Sequence, residues 1–414
     1  MSDQITKHLE SHVKLNLFDD HFNQNPYPTF SDLRKDEPVY QTIMPDGQQA
    51  WIITRYEDAA LALKEPRFVK DPENAGHEIA ADSPLNPKNN ILAKHMLISD
   101  PPDHRRLRSL VQQAFTPRKI EGLRGRIEEI TNDLLDGMED KDQIDLIQSL
   151  AFPLPIIVIC EMLGVPKEDH DKFRRWSNRI VETVNNAERA KEVKGDIEAF
   201  VGYLRDWIDK RRQDPREDMI SDLILAEQEG DKLTEQELYS LVFLLLIAGH
   251  ETTVNLIGNG VLALLQHPEQ KRLLQNHPEL IKNAIEELLR YDGPVMFSTS
   301  RWASEDIDFI GKTISKGDLV LIALDSANRD PEHFPEPDKL DLNREPNRHL
   351  AFGKGIHFCL GAPLARLEAE LAINTLLRRV PNLALACKPD ALTWRPGMLM
   401  RGLDKLPVTW RRFD

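Results

Sequence analysis

The chain has 414 residues, 41% of them hydrophobic, and a formal net charge of −15 at pH 7. This is enough apolar material for a sizeable core, and the acidic balance excludes a broad basic surface for nucleic acid. The amino terminus is polar, and the longest apolar run, Leu241 to Ala248, is shorter than the ~20 residues that cross a bilayer. We therefore expect a soluble, cytoplasmic protein with no membrane partner.

Short strand patterns open the chain. PVYQTI and QAWIITRY alternate as strands do, and Asp46-Gly47 between them is a turn signal, which predicts a strand-rich amino-terminal part over about 1–70. Helical patterns dominate from about Asp100. SDPPDHRRLRSLVQQAF has cap candidates at Ser99 and Asp100, and both GLRGRIEEITNDLLDGM and DIEAFVGYLRDWIDKRR are amphipathic at the helical period.

The longest helical pattern runs from about Thr234 to Gln266. It opens with a capping box formed by Thr234 and Glu237. At ~1.5 Å per residue, it would span ~50 Å. Because it is apolar on most sides, we expect it to pass through the middle of the molecule.

The last third of the chain alternates helices with short strands. HPELIKNAIEELLRY predicts a helix, residues 300–343 predict short strands and turns, and GAPLARLEAELAINTLLRRV predicts another helix. The tail predicts a terminal hairpin over about 390–412. With no repeat and no Gly- or Ser-rich linker, the sequence predicts one domain over 1–414, mainly α with small β-sheets.

Three cysteines are present, in no CxxC pattern. Cys160 and Cys387 lie in apolar runs and indicate small buried hydrophobes. Cys359 lies in FGKGIHFCLG, where a glycine-rich loop meets the start of a helix. Glycines allow close backbone approach, and a helix amino terminus favours a thiolate.

A thiolate in a dry pocket needs a cation. Zinc would require further Cys or His ligands, and none is near in sequence. A catalytic Cys–His pair with His357 is disfavoured by the two-residue spacing, and a buried cysteine in a glycine turn stays possible. An iron already held by a macrocycle needs only one thiolate, as in haem with an axial cysteine.

The loop resembles the cysteine signature of the cytochrome P-450 family, F-x-x-G-x-x-x-C-x-G. Phe352, Gly355, Cys359 and Gly361 match it in full, and further family motifs follow in order along almost the whole chain. The resemblance implies a single-domain cytochrome P-450 fold with the long central helix over the haem. It also implies haem b, iron protoporphyrin IX, with Cys359 as the metal ligand and with Phe352, Gly353 and Gly361 in its binding loop.

The long helix contains AGHETT, residues 248–253. HETTV lacks the second histidine of the zinc-protease motif HExxH, so that reading fails. An acid beside a hydroxyl in an apolar helix suggests a proton relay, whereas a polar patch at a helix contact is the plainer reading. The segment resembles the family motif A-G-x-[DE]-T, which implies that Glu251 and Thr252 manage protons for dioxygen. Ala248 and Gly249 would leave the gap for oxygen beside the haem.

Haem propionates require cations or strong donors. His104 and Arg108 are four apart and share a helix face, which by itself also fits a solvated basic surface. In the family, H-x-x-x-R contacts the propionates, and Arg301 and His357 match two further family donors. Glu287 and Arg290 form E-x-x-R, usually a surface ion pair. The resemblance implies instead a buried structural network with Arg344, although Leu340 stands where the family often has Phe.

The resemblance implies a haem-thiolate monooxygenase that hydroxylates or epoxidises an apolar small molecule with O₂. The substrate would be a polyketide, macrolide, terpenoid or fatty-acid-like compound, because the closest patterns are those of bacterial tailoring members. By position in the family, its pocket would be lined by Leu244, Ile247, Ala248, Val295, Met296, Phe297, Met398 and Leu399.

The chain has no GxGxxG for a nicotinamide or flavin. We therefore expect electrons from a ferredoxin or flavodoxin and its NAD(P)H-dependent reductase. A basic patch would dock that acidic partner, although scattered solvated charges are an equal alternative. The candidates for this patch are Arg105, Arg106, Arg118, Lys119 and Lys354.

Three other functions are considered. A peroxide-driven enzyme and a non-catalytic haem-thiolate sensor or carrier are both disfavoured by the pair Glu251 and Thr252, which neither needs. A cysteine-dependent hydrolase would be colourless when purified.

Overall fold

Helices form most of the molecule. The computed structural model describes residues 17, 19–44, 47–76, 94–139, 141–173, 175–176, 194–228 and 233–410. Its helices are α1 (Asp20–Gln24), α2 (Tyr27–Asp36), α3 (Tyr56–Ala62), α4 (Asp103–Gln112), α5 (Pro117–Glu121), α6 (Arg124–Asp136), α7 (Pro153–Leu163), α8 (Lys194–Gln213), α9 (Met219–Gln228), α10 (Glu235–Gln266), α11 (Pro268–Asn276), α12 (Ile281–Tyr291), α13 (Leu324–Ala327) and α14 (Ala362–Arg379).

The strands form small sheets at the edge of this helical body. A five-stranded sheet has the order β1-β2-β8-β5-β3, in which only β2 and β8 are parallel. A three-stranded sheet has the order β4-β10-β9, and β6 pairs with β7. The strands are β1 (Val39–Ile43), β2 (Gln49–Ile53), β3 (Phe68–Val69), β4 (Gln143–Asp145), β5 (Arg301–Ala303), β6 (Ile307–Phe309), β7 (Lys312–Ile314), β8 (Leu319–Ile322), β9 (Ala384–Leu385) and β10 (Pro407–Thr409).

The predicted long helix is α10, and it runs through the core. Its capping box is present in full: Thr234 Oγ1 accepts from the Glu237 N–H, and the Glu237 carboxylate accepts from the Thr234 N–H. The helix packs on α7, α12 and α14. By length and composition alone α10 could cross a membrane, but 72% of its most apolar stretch is buried inside the protein. Its apolar surface therefore faces protein.

The amino-terminal part contains helices as well as the predicted strands. Within its described residues, α1, α2 and α3 accompany β1, β2 and β3. In α2, the buried side chains are Phe30, Leu33 and Arg34. Spacings of three and four residues place these side chains on one face of a helix. The strand patterns elsewhere in the segment led the sequence analysis to predict strands only.

Asp100 does not cap α4 with its side chain, contrary to the cap expected there. Helix α4 begins after Pro102, with no side-chain cap. The Asp100 carboxylate instead accepts hydrogen bonds from the backbone N–H groups of Lys70 and Asp71, at 2.8 and 3.0 Å, and from Asn74 Nδ2. A tertiary contact thus takes the place of the expected helix cap. It fixes the end of β3 against the segment that precedes α4.

The tail forms the predicted hairpin, residues 393–404, and then leaves it. Trp394 pairs with Leu403, and the Arg395 N–H donates to the Gly402 carbonyl at 2.9 Å. The last strand, β10, pairs with β4 and β9 rather than within the hairpin. Residues 411 and 412 of the predicted hairpin lie outside the described residues.

We predict that Thr234→Ala destabilises the protein, because it leaves the first turn of α10 without its cap. The free energy of unfolding in urea should fall by about 1 kcal/mol. Thr234→Ser keeps the hydroxyl and should match the wild type. Equal losses in the two variants would show that the hydroxyl does not provide the cap.

Candidate active site

Glycine shapes the loop that carries Cys359. Gly353 and Gly355 have φ of +69° and +78°, a region that other residues rarely adopt. A Cβ atom on Gly355 would lie 3.0 Å from the Leu63 carbonyl oxygen. The Cys359 N–H donates to the Phe352 carbonyl at 2.9 Å and closes the loop. The glycines thus allow the chain to turn tightly against α3 just before α14 begins.

The Cys359 side chain is accessible, yet protein surrounds it closely. Burial is the largest influence on its pKa and raises it. The N–H groups of Gly361 and Ala362, at the start of α14, and the charges of Arg108 and Arg366 act in the opposite direction. Donors and positive charge thus offset part of the effect of burial, and a metal cation on the sulfur would favour the thiolate further.

Apolar surface is accessible on both the loop and α10. Ile356 and Phe358 are 52% and 41% exposed. Ala248 is exposed and Ile247 half-buried, although α10 is otherwise a core helix. Apolar surface at the centre of a core helix and beside an accessible sulfur is suited to a flat apolar ligand.

Thr252 and Glu251 have distinct environments on α10. Thr252 is half-buried, and its hydroxyl donates to the Ala248 carbonyl, four residues earlier, at 3.1 Å. Glu251 is buried, and its Oε1 lies 2.7 Å from Arg395 Nη1. The adjacent hydroxyl and carboxylate therefore sit at a boundary between core and accessible surface, where a proton relay would need to be.

Gly249 of α10 faces the neighbouring helix α7. A Cβ atom there would lie 3.3 Å from Ile159 Cγ1 of α7. The missing side chain thus makes room for a neighbouring helix. The neighbouring residue Ala248 is exposed and forms part of the accessible face of α10.

A group of basic side chains gathers near the loop. The rings of His104 and His357 lie 4.2 Å apart, centroid to centroid. Arg108 Nη2 donates to the Phe358 carbonyl at 2.8 Å. Arg301 is 5% exposed, and its Nε has no hydrogen-bond partner among the described residues. The four residues that sequence spacing separated are thus brought together.

Lys70 belongs to the same group and was not anticipated. It is 2% exposed, and its Nζ donates to the Thr299 and Ser300 carbonyls, both at 2.8 Å, and to Thr299 Oγ1. Burial lowers its pKa well below the ordinary value, and the Arg301 charge lowers it further. A buried ammonium in such surroundings requires nearby negative charge.

The basic group lacks balancing anions. Burial, followed by the charges of Lys70, His104, Arg301 and Arg108, lowers the pKa of His357 to about 2. Burial likewise lowers the pKa of Arg301 to about 10, opposed by Asp100. In the described part of the chain, Asp100 is the one carboxylate that bears on these pKa values.

The residues fit haem by their chemistry. The unpartnered Arg301 Nε and the basic side chains gathered around it suit two propionates, the accessible sulfur suits iron, and the exposed apolar surface suits the macrocycle. The described residues contain no cluster of His, Cys, Asp and Glu that would hold a bare metal ion.

Glu287, Arg290 and Arg344 form the predicted buried arrangement. Glu287 and Arg290 are fully buried and joined by two hydrogen bonds of 2.8 and 2.9 Å. Arg344 Nε lies 3.1 Å from Glu287 Oε2. Glu287 also accepts from the Asp341 N–H and from Asn347 Nδ2. The carboxylate therefore pins the segment that leads into the cysteine loop.

The predicted substrate residues lie on several elements. Leu244, Ile247 and Ala248 follow one face of α10, and residues 398 and 399 lie at the tip of the terminal hairpin, half-buried. Met296 and Phe297 are only 1% and 0% exposed, and their place in the pocket lining stays a prediction. Phe297 packs edge-on against Phe30 of α2, in the core beside the sheet. The remaining member, Val295, is half-buried and pairs with Met400.

Two residues of the site escaped the sequence analysis for the same reason. Lys70 in FVKDP and Arg395 in TWRPG are single basic residues after apolar ones. Such a pattern is normally a solvated charge, and no local spacing indicates a distant partner. Only the fold brings Arg395 to Glu251 and Lys70 to Arg301.

Comparison with known proteins gives consistent results. A family model described as Cytochrome P450 matches residues 146–383. The polyketide biosynthesis cytochrome P450 PksS of Bacillus subtilis is 47% identical over 394 residues, covering 94% of this chain and 96% of that protein. The cytochrome P450 monooxygenase PikC of Streptomyces venezuelae is 44% identical, covering 94% and 92%. A solved myxobacterial cytochrome P450 in complex with myristic acid has a TM-score of 0.90 and 43% identity, covering 96% of this chain and 99% of that chain.

We predict that Arg290→Met strongly destabilises the protein, because it leaves the Glu287 carboxylate buried without its closest cation. The free energy of unfolding in urea should fall by about 3–5 kcal/mol. Arg216→Met is the control, since its pair with Asp214 is 65% and 71% exposed. The control should unfold like the wild type. Similar losses in both variants would contradict a special role for the buried pair.

Proposed function

We propose roles for individual residues and a class of substrate, starting from the fact that this chain belongs to the cytochrome P450 family. The chain is a haem-thiolate monooxygenase with haem b as its cofactor. When bound, the haem supplies the activation of O₂: one oxygen atom enters the substrate and the other leaves as water, with two electrons and two protons consumed. The observation that carries the residue assignment is the accessible Cys359 sulfur among converging N–H donors and cations.

Cys359 is proposed as the axial ligand of the haem iron. The N–H groups at the start of α14 and the charges of Arg108 and Arg366 oppose the effect of burial and would favour an anionic sulfur. His104, Arg108, Arg301 and His357 are proposed to hold the propionates, supported by their convergence near the cysteine loop and by the unpartnered Arg301 Nε. Five further positions are proposed to shape the haem pocket: Ala248, Gly249, Phe352, Gly353 and Gly361.

Glu251 and Thr252 are proposed to deliver protons. The Thr252 hydroxyl is accessible enough to donate toward the pocket, and the Ala248 carbonyl holds its orientation. Glu251 can take a proton from solvent on one carboxylate oxygen while the other stays on Arg395. Together they would deliver protons as the electrons arrive. A monooxygenase needs this proton delivery, whereas a carrier does not.

The substrate is proposed to be a largely apolar small molecule, hydroxylated or epoxidised at a C–H or C=C bond. Support comes from the apolar surface of α10 and of the hairpin tip, and from relatives named for polyketide biosynthesis. The complex of one similar structure with myristic acid supports a fatty-acid-like alternative. A polyketide, macrolide, terpenoid or fatty-acid-like compound fits this description.

Electrons are proposed to come from a ferredoxin or flavodoxin with its reductase. Arg105, Arg118 and Lys119 are exposed and Lys354 is half-buried, so these four suit the docking patch. Arg106 does not, because its guanidinium pairs with the buried Glu237 at 2.6 Å. A cytoplasmic location is proposed because such reductants are intracellular and because all three cysteines are free.

The first test is the spectrum of the dithionite-reduced protein with carbon monoxide. A strongly red-shifted Soret band is expected, because a thiolate donates electron density to the iron. Cys359→Ala should lose this band, while Cys387→Ala should keep it. A Cys359→Ala protein with an unchanged thiolate spectrum would refute the axial assignment.

The second test concerns Thr252. Thr252→Ala should still consume NADPH, but with several-fold more hydrogen peroxide and less product per NADPH, because the donor near dioxygen is lost. Thr252→Ser retains the hydroxyl and should stay near the wild-type product yield. An unchanged product yield in Thr252→Ala would remove the hydroxyl from the proposed relay.

A further inference from the structure

Arg395 forms a two-pronged contact with the central helix. Its Nη1 lies 2.7 Å from Glu251 Oε1, and its Nη2 donates to Asn255 Oδ1 at 2.6 Å. Glu251 and Asn255 are four residues apart and therefore stack on one face of α10. A planar guanidinium can hold both groups at once, which the single ammonium of lysine cannot match.

Arg395 is the principal charge partner of Glu251. The other nearby basic group among the described residues is His250, whose Nε2 lies 4.0 Å from Glu251 Oε2. His250 is fully buried, burial lowers its pKa, and its Nδ1 lies 2.8 Å from the Leu246 carbonyl. A buried neutral imidazole leaves the carboxylate dependent on Arg395 for compensation.

The two ends of the pair differ in exposure. The Glu251 side chain is 5% exposed, whereas that of Arg395 is 34% exposed. The guanidinium thus spans the distance from a buried acid to accessible surface. Oε1 is occupied by Arg395, so Oε2 is the oxygen left for proton exchange.

The element that carries Arg395 also carries proposed substrate contacts. The Arg395 N–H is bonded across the terminal hairpin to Gly402, and the tip is held by the Met296 N–H donating to the Leu399 carbonyl at 2.9 Å. A Cβ atom on Gly402 would collide with Asn255, so the hairpin lies directly on α10. The terminal hairpin therefore carries both the partner of Glu251 and the proposed substrate contacts at its tip.

We propose that Arg395 is a positioning residue that holds Glu251 in the orientation for proton delivery. The inference rests on the proposed function of Glu251. In each transfer a proton from water joins Oε2 and then passes to the Thr252 hydroxyl oxygen, while the hydroxyl releases its own proton toward the haem pocket, so Glu251 and Thr252 both return to their starting state. Both electrons come from the ferredoxin or flavodoxin, and Arg395 exchanges neither protons nor electrons.

The test compares two ways of driving the oxidation of myristic acid. NADPH with a reductase and ferredoxin requires proton delivery, whereas hydrogen peroxide brings its own two protons and electrons. For Arg395→Met we expect an NADPH-driven kcat lower by about tenfold to a hundredfold, with a larger solvent isotope effect in D₂O. KM and the peroxide-driven rate should stay within about twofold of the wild type. Arg395→Lys should recover part of the loss.

Two further variants separate the explanations. Asn255→Ala removes the other contact of Arg395 but leaves the ion pair, so its NADPH-driven rate should stay near the wild type. Arg395→Met combined with Glu251→Gln should be no slower than Glu251→Gln alone, since both act through one carboxylate.

Three outcomes would overturn the inference: a wild-type NADPH-driven rate in Arg395→Met, equal losses with NADPH and peroxide, or additive losses in the double variant. Failure of the proposed function is distinct. In that case Glu251→Gln itself would show no change in NADPH-driven rate or isotope effect.

Discussion

A single buried carboxylate, Glu287, fixes the position of the cysteine loop. It is fully buried and receives donors from α12 and from the segment that runs toward residue 350. A charge in the interior is tolerable only when its hydrogen-bonding capacity is filled, so the segment cannot move without exposing an unpaired charge. This constraint holds the segment that leads into the loop that carries Cys359.

The basic group beside the loop has the opposite character. Lys70, His104 and Arg301 are buried, and Arg108 and His357 are half-buried. Burial is the largest cause of their lowered pKa values, and Asp100 is the one carboxylate among the described residues that opposes it. A folded protein maintains such an imbalance only at a cost in stability. The propionates of haem b would supply the missing charge, so cofactor binding and stability should be linked. Lys70 extends this group beyond the residues that the family motifs indicate.

The central helix α10 carries both apolar core residues and the polar residues proposed for proton delivery. It is apolar enough to form the core, yet it carries Glu251, Thr252 and Asn255 on faces that meet other elements. The Arg395 guanidinium of the hairpin binds the Glu251 carboxylate and Asn255 Oδ1, while the Thr252 hydroxyl donates within the helix. Burying a polar relay in a core helix thus requires a partner from a distant part of the chain.

The sequence by itself determined the helical class, the span and capping box of α10 and the terminal hairpin, because these follow from local periodicity and spacing. Its motifs indicated the family, and the resemblance to that family implied the buried role of Glu287 and Arg290. The tertiary structure decided what local spacing cannot encode. It brought Arg395 to Glu251 and Lys70 to Arg301. It directed the Asp100 carboxylate to the backbone of Lys70 rather than to the start of α4. It also placed Met296 and Phe297 in the core. Pairing between residues more than a hundred positions apart depends on how whole elements pack, because burial and charge are properties of the folded surroundings.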